Sequence, residues 1–326
     1  FLIISNLIKA IKNKYPDSKI TIVSSKYNNH FIKKYKIIDN VILYDKKYNI
    51  LKKFKIFKKI IDKNYEASLA LDGKSFSFFC NLFLKSKKKL ALFYKYKIFG
   101  ITFFKPNILN TFFFDHFETF TSKKNLTRIE HLPSKFINLG NYLNLKIKPK
   151  DKYYFLPTSN ANKIKDRIKK TIKGKYVLIH LDEKWIDIKD INENFYDNLN
   201  LFQKKINKKI LLTSFNNKFD YFLNLKNKLK KYKNNNIILF ENSSLDVMER
   251  MIYYSSFAIS CHSGFLVQIS GANNSKIIDI INQRDFIWYS CWVPKNTLHK
   301  FVFKSYNKEK VELEKILIDV LKVIKN

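Results

Sequence analysis

The stretch Phe257-Ala-Ile-Ser260-Cys261-His262-Ser263-Gly264, continued by Phe265-Leu-Val-Gln-Ile269 and ending in Lys276-Ile-Ile-Asp279-Ile-Ile281, decides the fold. An apolar run breaks off into a polar turn, a helix-like segment follows, and a second β-branched run closes the unit. This order of strand, turn, helix and strand belongs to a parallel α/β sheet. In such sheets ligands bind beyond the carboxyl ends of the strands, where helix N-termini present backbone N–H groups suited to a phosphate.

The same alternation extends outward from this stretch. In the first half, Lys19 to Ser25 reads as a buried strand after the Pro16-Asp17 turn. A short helix from Asn29 to Tyr35 leads to a strand over Asn40 to Tyr44. A basic helix, Ile50 to Asp62, precedes a strand at Ala67 to Asp72, and a helix at Phe76 to Leu84 precedes one at Lys89 to Phe93. Phe99 to Thr121 reads as an aromatic loop and Arg128 to Leu145 as a helix. Lys146 to Pro157, interrupted by Pro149, marks a domain boundary.

Beyond that boundary the pattern repeats. Helices at Asn160 to Ile172, Asn192 to Ile206, Lys218 to Tyr232 and Ser244 to Tyr254 alternate with strands at Tyr176 to His180, Lys209 to Thr213 and Asn236 to Phe240. The last run, Glu309 to Ile324, places Leu313, Ile316, Leu317 and Val320 at helical spacing, which predicts an amphipathic helix packed on a domain. The expected architecture is α/β, with Rossmann-like domains over residues 1–150 and 151–307, a terminal helix over 308–326, and parallel sheets facing across a cleft.

Composition narrows the function. The 326 residues carry a formal charge of +35, which invites a nucleic-acid reading. Of the 62 basic residues, however, only Arg128, Arg167, Arg250 and Arg284 are arginine. Phosphate and base recognition favours the planar guanidinium, so lysine spread among Asn, Ile, Phe and Tyr reads as compositional bias, and nucleic acid is not the expected partner. A positive surface facing anionic lipid or an anionic glycolipid is also compatible with the charge. Cys80, Cys261 and Cys291 form neither a disulfide framework nor a paired metal site, which suits a reducing cytoplasm. Lysines interrupt every apolar run before the roughly 18 residues a membrane span needs. The first residues, Phe1 to Lys12, already read as helix, so a fragment that has lost an opening strand and turn is expected.

Taken together the motifs resemble glycosyltransferase family 9, the heptosyltransferase-like group of the GT-B fold. Leu7-Ile-Lys-Ala-Ile11, Tyr15-Pro16 and Ile20-Thr-Ile-Val23 are similar to that family's opening helix, Tyr-Pro pair and following strand. By this register the family's Gly-Asp, whose Asp is taken as the catalytic base, falls immediately before Phe1. His180-Leu-Asp-Glu-Lys184-Trp185 resembles the family's strand-end Lys-x-Trp loop, whose lysine reaches the donor diphosphate. His262-Ser263-Gly264 resembles its Asp-Ser/Thr-Gly turn. The departures are His262 in place of the Asp, and Val267 or Gln268 where the family usually has His.

Several residues admit more than one reading. His262 could bind a phosphate, serve as an acid or base, or hydrogen-bond across the turn. Glu241, ending a strand, could accept hydrogen bonds from a ribose or cap the next helix. Ile287-Trp288-Tyr289 and Trp292-Val293-Pro294 could stack on a base or sugar, or be buried. A metal site from Cys261, His262 and Cys291 is disfavoured because adjacent strand residues point to opposite faces. The helix Ile50 to Asp62 has the pattern of a Rossmann outer helix with its lysines in water, and also that of a helix lying on a membrane.

The resemblance implies transfer of a sugar, heptose-like or another hexose, from a nucleotide-diphosphate donor to lipopolysaccharide or another surface or lipid-linked glycan. It implies no cofactor and no metal. The second domain would hold the donor through Lys184, Trp185, Glu241, His262, Ser263 and Gly264, and the first would present the acceptor. A GT-B sugar-nucleotide epimerase and a non-catalytic binder of glycans or anionic surfaces are the alternatives.

Overall fold

A computed structural model describes residues 2–33, 35–105, 108–147, 166, 168, 170, 172, 174–214, 218–294, 298–307 and 309–325. The chain forms two compact units, one from Phe1–Tyr154 with Ser290–Trp292, the other from Phe155–Tyr289 with Val293–Asn326. Of the helix expected over Asn160 to Ile172 only residues 166, 168, 170 and 172 are described, the first three of them helical, and most of the expected boundary at Lys146 to Pro157 lies outside the described residues.

In the first unit, α1 (Ser5–Lys14) leads to β1 (Thr21–Ser24), and α2 (Lys26–Ile32) to β2 (Asn40–Leu43), which pairs in parallel with β1. After α3 (Ile50–Ile61) and β3 (Asn64–Ala70), α4 (Ser75–Phe83) leads to the long β4 (Lys85–Ile98). β4 pairs in parallel with β3 and β6 (His116–Thr121), and antiparallel with β5 (Ile101–Lys105). Of the aromatic stretch read as a loop, Ile101–Lys105 and His116–Thr121 are therefore strands, with a 3-10 turn at Ile108–Phe113. Phe99 and Gly100 both have positive φ, 48° and 81°, which is the backbone a two-residue hairpin turn requires. Consecutive aromatic residues, Phe103-Phe104 and Phe112-Phe113-Phe114, interrupt the period-2 signal that marks a strand. α5 (Leu132–Tyr142), starting with Pro133 in its first turn, packs on α1 at Gly140, where a Cβ would come within 2.8 Å of Leu7.

The helix α3 departs from the outer-helix pattern. Asn49 caps it by accepting the Lys52 N–H at 2.9 Å, and Ile60 is buried with Ile56, Phe57 and Ile61 packed partly beneath it. Its first two turns, however, leave Ile50, Leu51 and Phe54 exposed.

The second unit carries a seven-stranded sheet. Its strands are β7 (Tyr176–Leu181), β8 (Lys209–Ser214), β9 (Ile237–Glu241), β10 (Phe257–Ser260), β11 (Ile277–Asn282), β12 (His299–Tyr306) and β13 (Glu309–Lys310). They lie in the order β13-β12-β11-β10-β7-β8-β9, all parallel except β13. Between them run α6 (Ile191–Ile206), α7 (Asp220–Tyr232), α8 (Leu245–Tyr254), α9 (Gly264–Asn273) and α10 (Phe286–Ser290). β7 is buried along its whole length, and apolar residues on both faces of the sheet explain why its central strands are near-continuous apolar runs. β12 was not foreseen: with Lys300, Lys304 and Ser305 among its aromatics it reads as neither strand type. The terminal helix α11 (Leu313–Lys325) buries Leu313, Ile316, Leu317 and Val320 in the same core as β7 and α6, so it is part of this unit.

Leaving out β13, the strand order is that of a doubly wound dinucleotide-binding fold, with the direction of winding reversing between β7 and β10. Helices leave these two strands on opposite faces of the sheet, so a crevice opens at their carboxyl ends.

Candidate functional site

The register pairs His180 of β7 with Ser260 of β10, so both strands end at one level and deliver Asp182 and His262 to the crevice. On the β10 side the chain reverses at His262, whose φ of 57° is left-handed and costs a non-glycine residue roughly 1 kcal/mol. The compensation lies below it. Asp279, in the middle of the apolar strand β11, is fully buried. One of its carboxylate oxygens accepts the Ser260 hydroxyl at 2.8 Å; the other accepts His262 Nδ1–H at 2.7 Å and His299 Nε2–H at 3.0 Å. Burial by itself would raise the Asp279 pKa, but the hydrogen bonds from the two histidines outweigh it and hold the carboxyl well below the usual range. The His262 ring also stacks on Tyr289, with centroids 3.7 Å apart, and Ser263 N–H donates to Ser260 Oγ at 3.1 Å. An acceptor at Nδ1 fixes the tautomer and leaves Nε2 as the nitrogen that this carboxylate does not use.

On the β7 side, Asp182 Oδ1 accepts the Lys184 N–H at 3.1 Å and starts a short 3-10 turn, Glu183–Asp187. Three residues clamp that turn. The Tyr221 hydroxyl donates to the Asp182 carbonyl at 2.6 Å, Trp185 Nε1–H donates to the His180 carbonyl at 2.9 Å, and the buried Lys304 of β12 donates to the Lys184 carbonyl and to Asp187. Thus held, Lys184 reaches across the switch point and its Nζ donates to the His262 carbonyl at 2.7 Å. An ammonium has three donors, so this bond leaves others for a ligand, and about a third of the side chain is exposed. Burial pushes Asp182 up to about 6, against the pull of Lys184, and burial together with Lys184 brings His180 down to about 4.

α9 begins at Gly264, immediately after this reversal. Its N-cap residue Ser263 makes no side-chain cap hydrogen bond, and the N–H groups of a helix's first turn point out from its start. A Cβ placed on Gly264 would meet nothing within 4 Å, and its φ is not positive, so neither packing nor backbone geometry demands glycine there. Further along the sheet, at the end of β8 and just after β9, the buried hydroxyls of Ser214 and Ser243 make no hydrogen bond among the described residues. The crevice thus presents a cation beside an uncapped helix N-terminus: a chemistry suited to a phosphate-bearing ligand.

In fold the chain is similar to the glycosyltransferase family 9 protein of Veillonella parvula, with a TM-score of 0.68 and 11% identity over 100% of this chain and 94% of that one. It is similar also to the E. coli heptosyltransferase WaaC solved with ADP-2-deoxy-2-fluoro heptose, at 0.65 and 12% over 100% and 96%. The chain has the GT-B fold. A putative UDP-N-acetylglucosamine 2-epimerase from Listeria monocytogenes shares it more distantly, with a TM-score of 0.54 and 11% identity over 100% and 85%. No protein-family profile and no curated protein sequence matches the chain.

Within this GT-B fold the expected residues divide. Lys184, His262, Ser263 and Gly264 meet at the switch point. Trp185 does not join them: it is 1% exposed and stacked on Phe195, with its N–H satisfied, so it braces the loop and offers no face to a ligand. Glu241 ends the edge strand β9, three strand spacings or about 14 Å from β10. There it pairs with Lys226 at 2.7 Å. Of the aromatic residues after β11, Tyr289 reaches His262, whereas Trp292 belongs to the first unit and lies edge-on to Phe120. Cys261 is fully buried and burial raises its thiol well above the ordinary range. Among the described residues no group of three or more His, Cys, Asp or Glu side chains is arranged to hold a metal ion.

Asp279, His299, Lys304 and Asp182 were not foreseen. One signal was available: an aspartate inside Ile277-Ile-Asp-Ile-Ile281 is a charge in a buried strand, which needs partners. The others are recognisable only once the strands are aligned.

Proposed function

We propose that this chain is a glycosyltransferase of the family 9 kind. In this reading it transfers a heptose-like or other hexose residue from a nucleotide-diphosphate sugar to a lipopolysaccharide or other lipid-linked surface glycan, on the cytoplasmic side of a membrane. The observation that carries the proposal is the closure of Lys184 onto the His262 carbonyl across the switch point, next to the open first turn of α9. An acceptor hydroxyl attacks the anomeric carbon, the bond from that carbon to the diphosphate oxygen breaks, and the hydroxyl proton passes to a base. Charge gathering on the departing diphosphate would be met by Lys184 and the α9 amides, which lets the step proceed without a metal.

Binding of nucleoside diphosphates, followed by thermal shift and calorimetry with chelator present, tests the reading. Stabilisation by at least one of them, abolished in Lys184→Ala, is expected; no stabilisation by any, or an undiminished effect in the variant, would refute it. The fold shared with the 2-epimerase supports a second reading, in which the same carbon–oxygen bond breaks but no acceptor takes the sugar. A labelled donor that yields an isomerised sugar and no glycolipid would establish that alternative. Retention of an intact donor with no bond broken would point to a non-catalytic binder.

A further inference from the structure

The first unit displays an apolar face that the Rossmann pattern does not account for. The opening turns of α3 expose Ile50 at 82%, Leu51 at 71% and Phe54 at 63%, and the neighbouring α4 adds Phe79 at 49% and Phe83 at 57%. These residues form one surface. Phe57 lies within ring contact of Phe54, Phe79 and Phe83, at 6.4, 5.1 and 5.9 Å, and Phe79 contacts Phe83 at 4.8 Å. Single exposed apolar residues are ordinary, whereas a contiguous aromatic and aliphatic patch marks a surface that something covers.

The charge around the patch states what kind of surface that is. α3 contains no acidic residue, and Lys52, Lys55, Lys58 and Lys59 are exposed on it beside the apolar side chains. The Lys52 ammonium lies 3.8 Å from the Tyr48 ring centroid, which continues the basic and aromatic character past the helix start. A helix with aromatic and branched aliphatic residues on one side and lysines beside them lies in a bilayer interface, rings at the headgroup boundary and ammonium groups on anionic lipid. The Asn49 cap and the buried Ile60 hold α3 folded beforehand, so docking would order no helix.

We infer that the α3–α4 face docks the protein onto an anionic lipid bilayer. The docking rests on this surface alone and holds whether or not the switch-point crevice transfers sugar. The same face would bring the first unit to the plane in which a lipid-linked acceptor resides.

Because the whole chain is strongly basic, the experiment must separate this patch from general attraction. Partition of the full chain onto vesicles of phosphatidylethanolamine and phosphatidylglycerol is compared with partition onto phosphatidylcholine alone, by co-sedimentation. The variants are Leu51→Ser with Phe54→Ser, Lys55→Glu with Lys59→Glu, and, as a charge-matched control on the second unit, Lys230→Glu with Lys231→Glu. The parent should favour the anionic vesicles, each α3 double variant should partition about tenfold or more weakly, and the control should stay within about twofold of the parent. All three should melt close to the parent, since the altered side chains are exposed. Equal losses in control and patch variants, or patch variants that bind like the parent, would overturn the inference. So would a change in the sedimentation coefficient of the lipid-free serine variant, which would show that a second copy of the chain covers the face.

Discussion

Gly264→Ala separates the ligand role of the α9 turn from its structural role. In the protein by itself the new methyl meets nothing within 4 Å, and the backbone at 264 is not in the left-handed region. Alanine also restricts the unfolded chain more than glycine does, so folding should be unchanged or favoured by up to about 1 kcal/mol. For a unit of this size that is an upward shift of roughly 2–4 °C at most. A diphosphate seated on the first-turn amides, however, approaches the backbone at hydrogen-bond distance over the space the methyl fills. Losing one charge-assisted N–H bond to phosphate costs about 1.5–3 kcal/mol, which is roughly a tenfold to hundredfold rise in Kd. Differential scanning calorimetry and isothermal titration with a nucleoside diphosphate, on the same two preparations, read both quantities. Unchanged affinity alongside an unchanged or raised melting temperature would refute the placement of the phosphates at this turn. A large fall in melting temperature would show that the glycine is required by the fold, contrary to the open space observed.

Three further outcomes are expected. Asp182 has its carboxyl raised from 3.8 to about 6, so the unfolded chain ionises first as pH rises. The stability associated with the protonated form is therefore full below about pH 4 and lost through about pH 6, a change on the order of 3 kcal/mol. Chemical denaturation should show this slope in the parent and not in Asp182→Asn; identical pH profiles would contradict the buried environment assigned to it. His262→Ala should lower stability by about 1.5–3 kcal/mol, because the buried Asp279 carboxylate loses a donor. A variant that melts like the parent yet binds nucleotide poorly would instead make the ring a ligand contact. Lys304→Met should weaken nucleotide binding several-fold by releasing the Lys184 turn, with little additional loss in a Lys184→Ala background. Additive losses in that double-mutant cycle would mean that Lys304 does not act through Lys184.

Much of the site was legible because it is local. A β-branched run ending in a polar turn before a helix is written in consecutive residues, so Phe257–Ser260, the His262-Ser263-Gly264 reversal and Gly264–Asn273 were located before any coordinate was known. The Lys184 turn was legible for the same reason. The hairpin at Phe99-Gly100 was not: Tyr94 to Ile98 does alternate, but the turn carries Phe99 where Asn or Asp would announce a positive φ. Trp185 was misplaced because an indole beside a functional lysine looks identical in sequence whether its ring is open to a ligand or packed on Phe195.

The sequence by itself determined the alternation of strand and helix from Tyr176 to Ile281 and the turns at Lys184 and His262, because period and turn chemistry act over a few residues. Tertiary structure alone decided which turns face one crevice. It brought Asp279 and His299 beneath His262 from 17 and 37 positions away, and Lys304 behind Lys184 from 120. It also left Ile50, Leu51 and Phe54 in solvent although their spacing suits burial. The reason is the same in each case. Parallel pairing aligns strand ends irrespective of their separation along the chain, and whether an apolar face is covered depends on what packs against it.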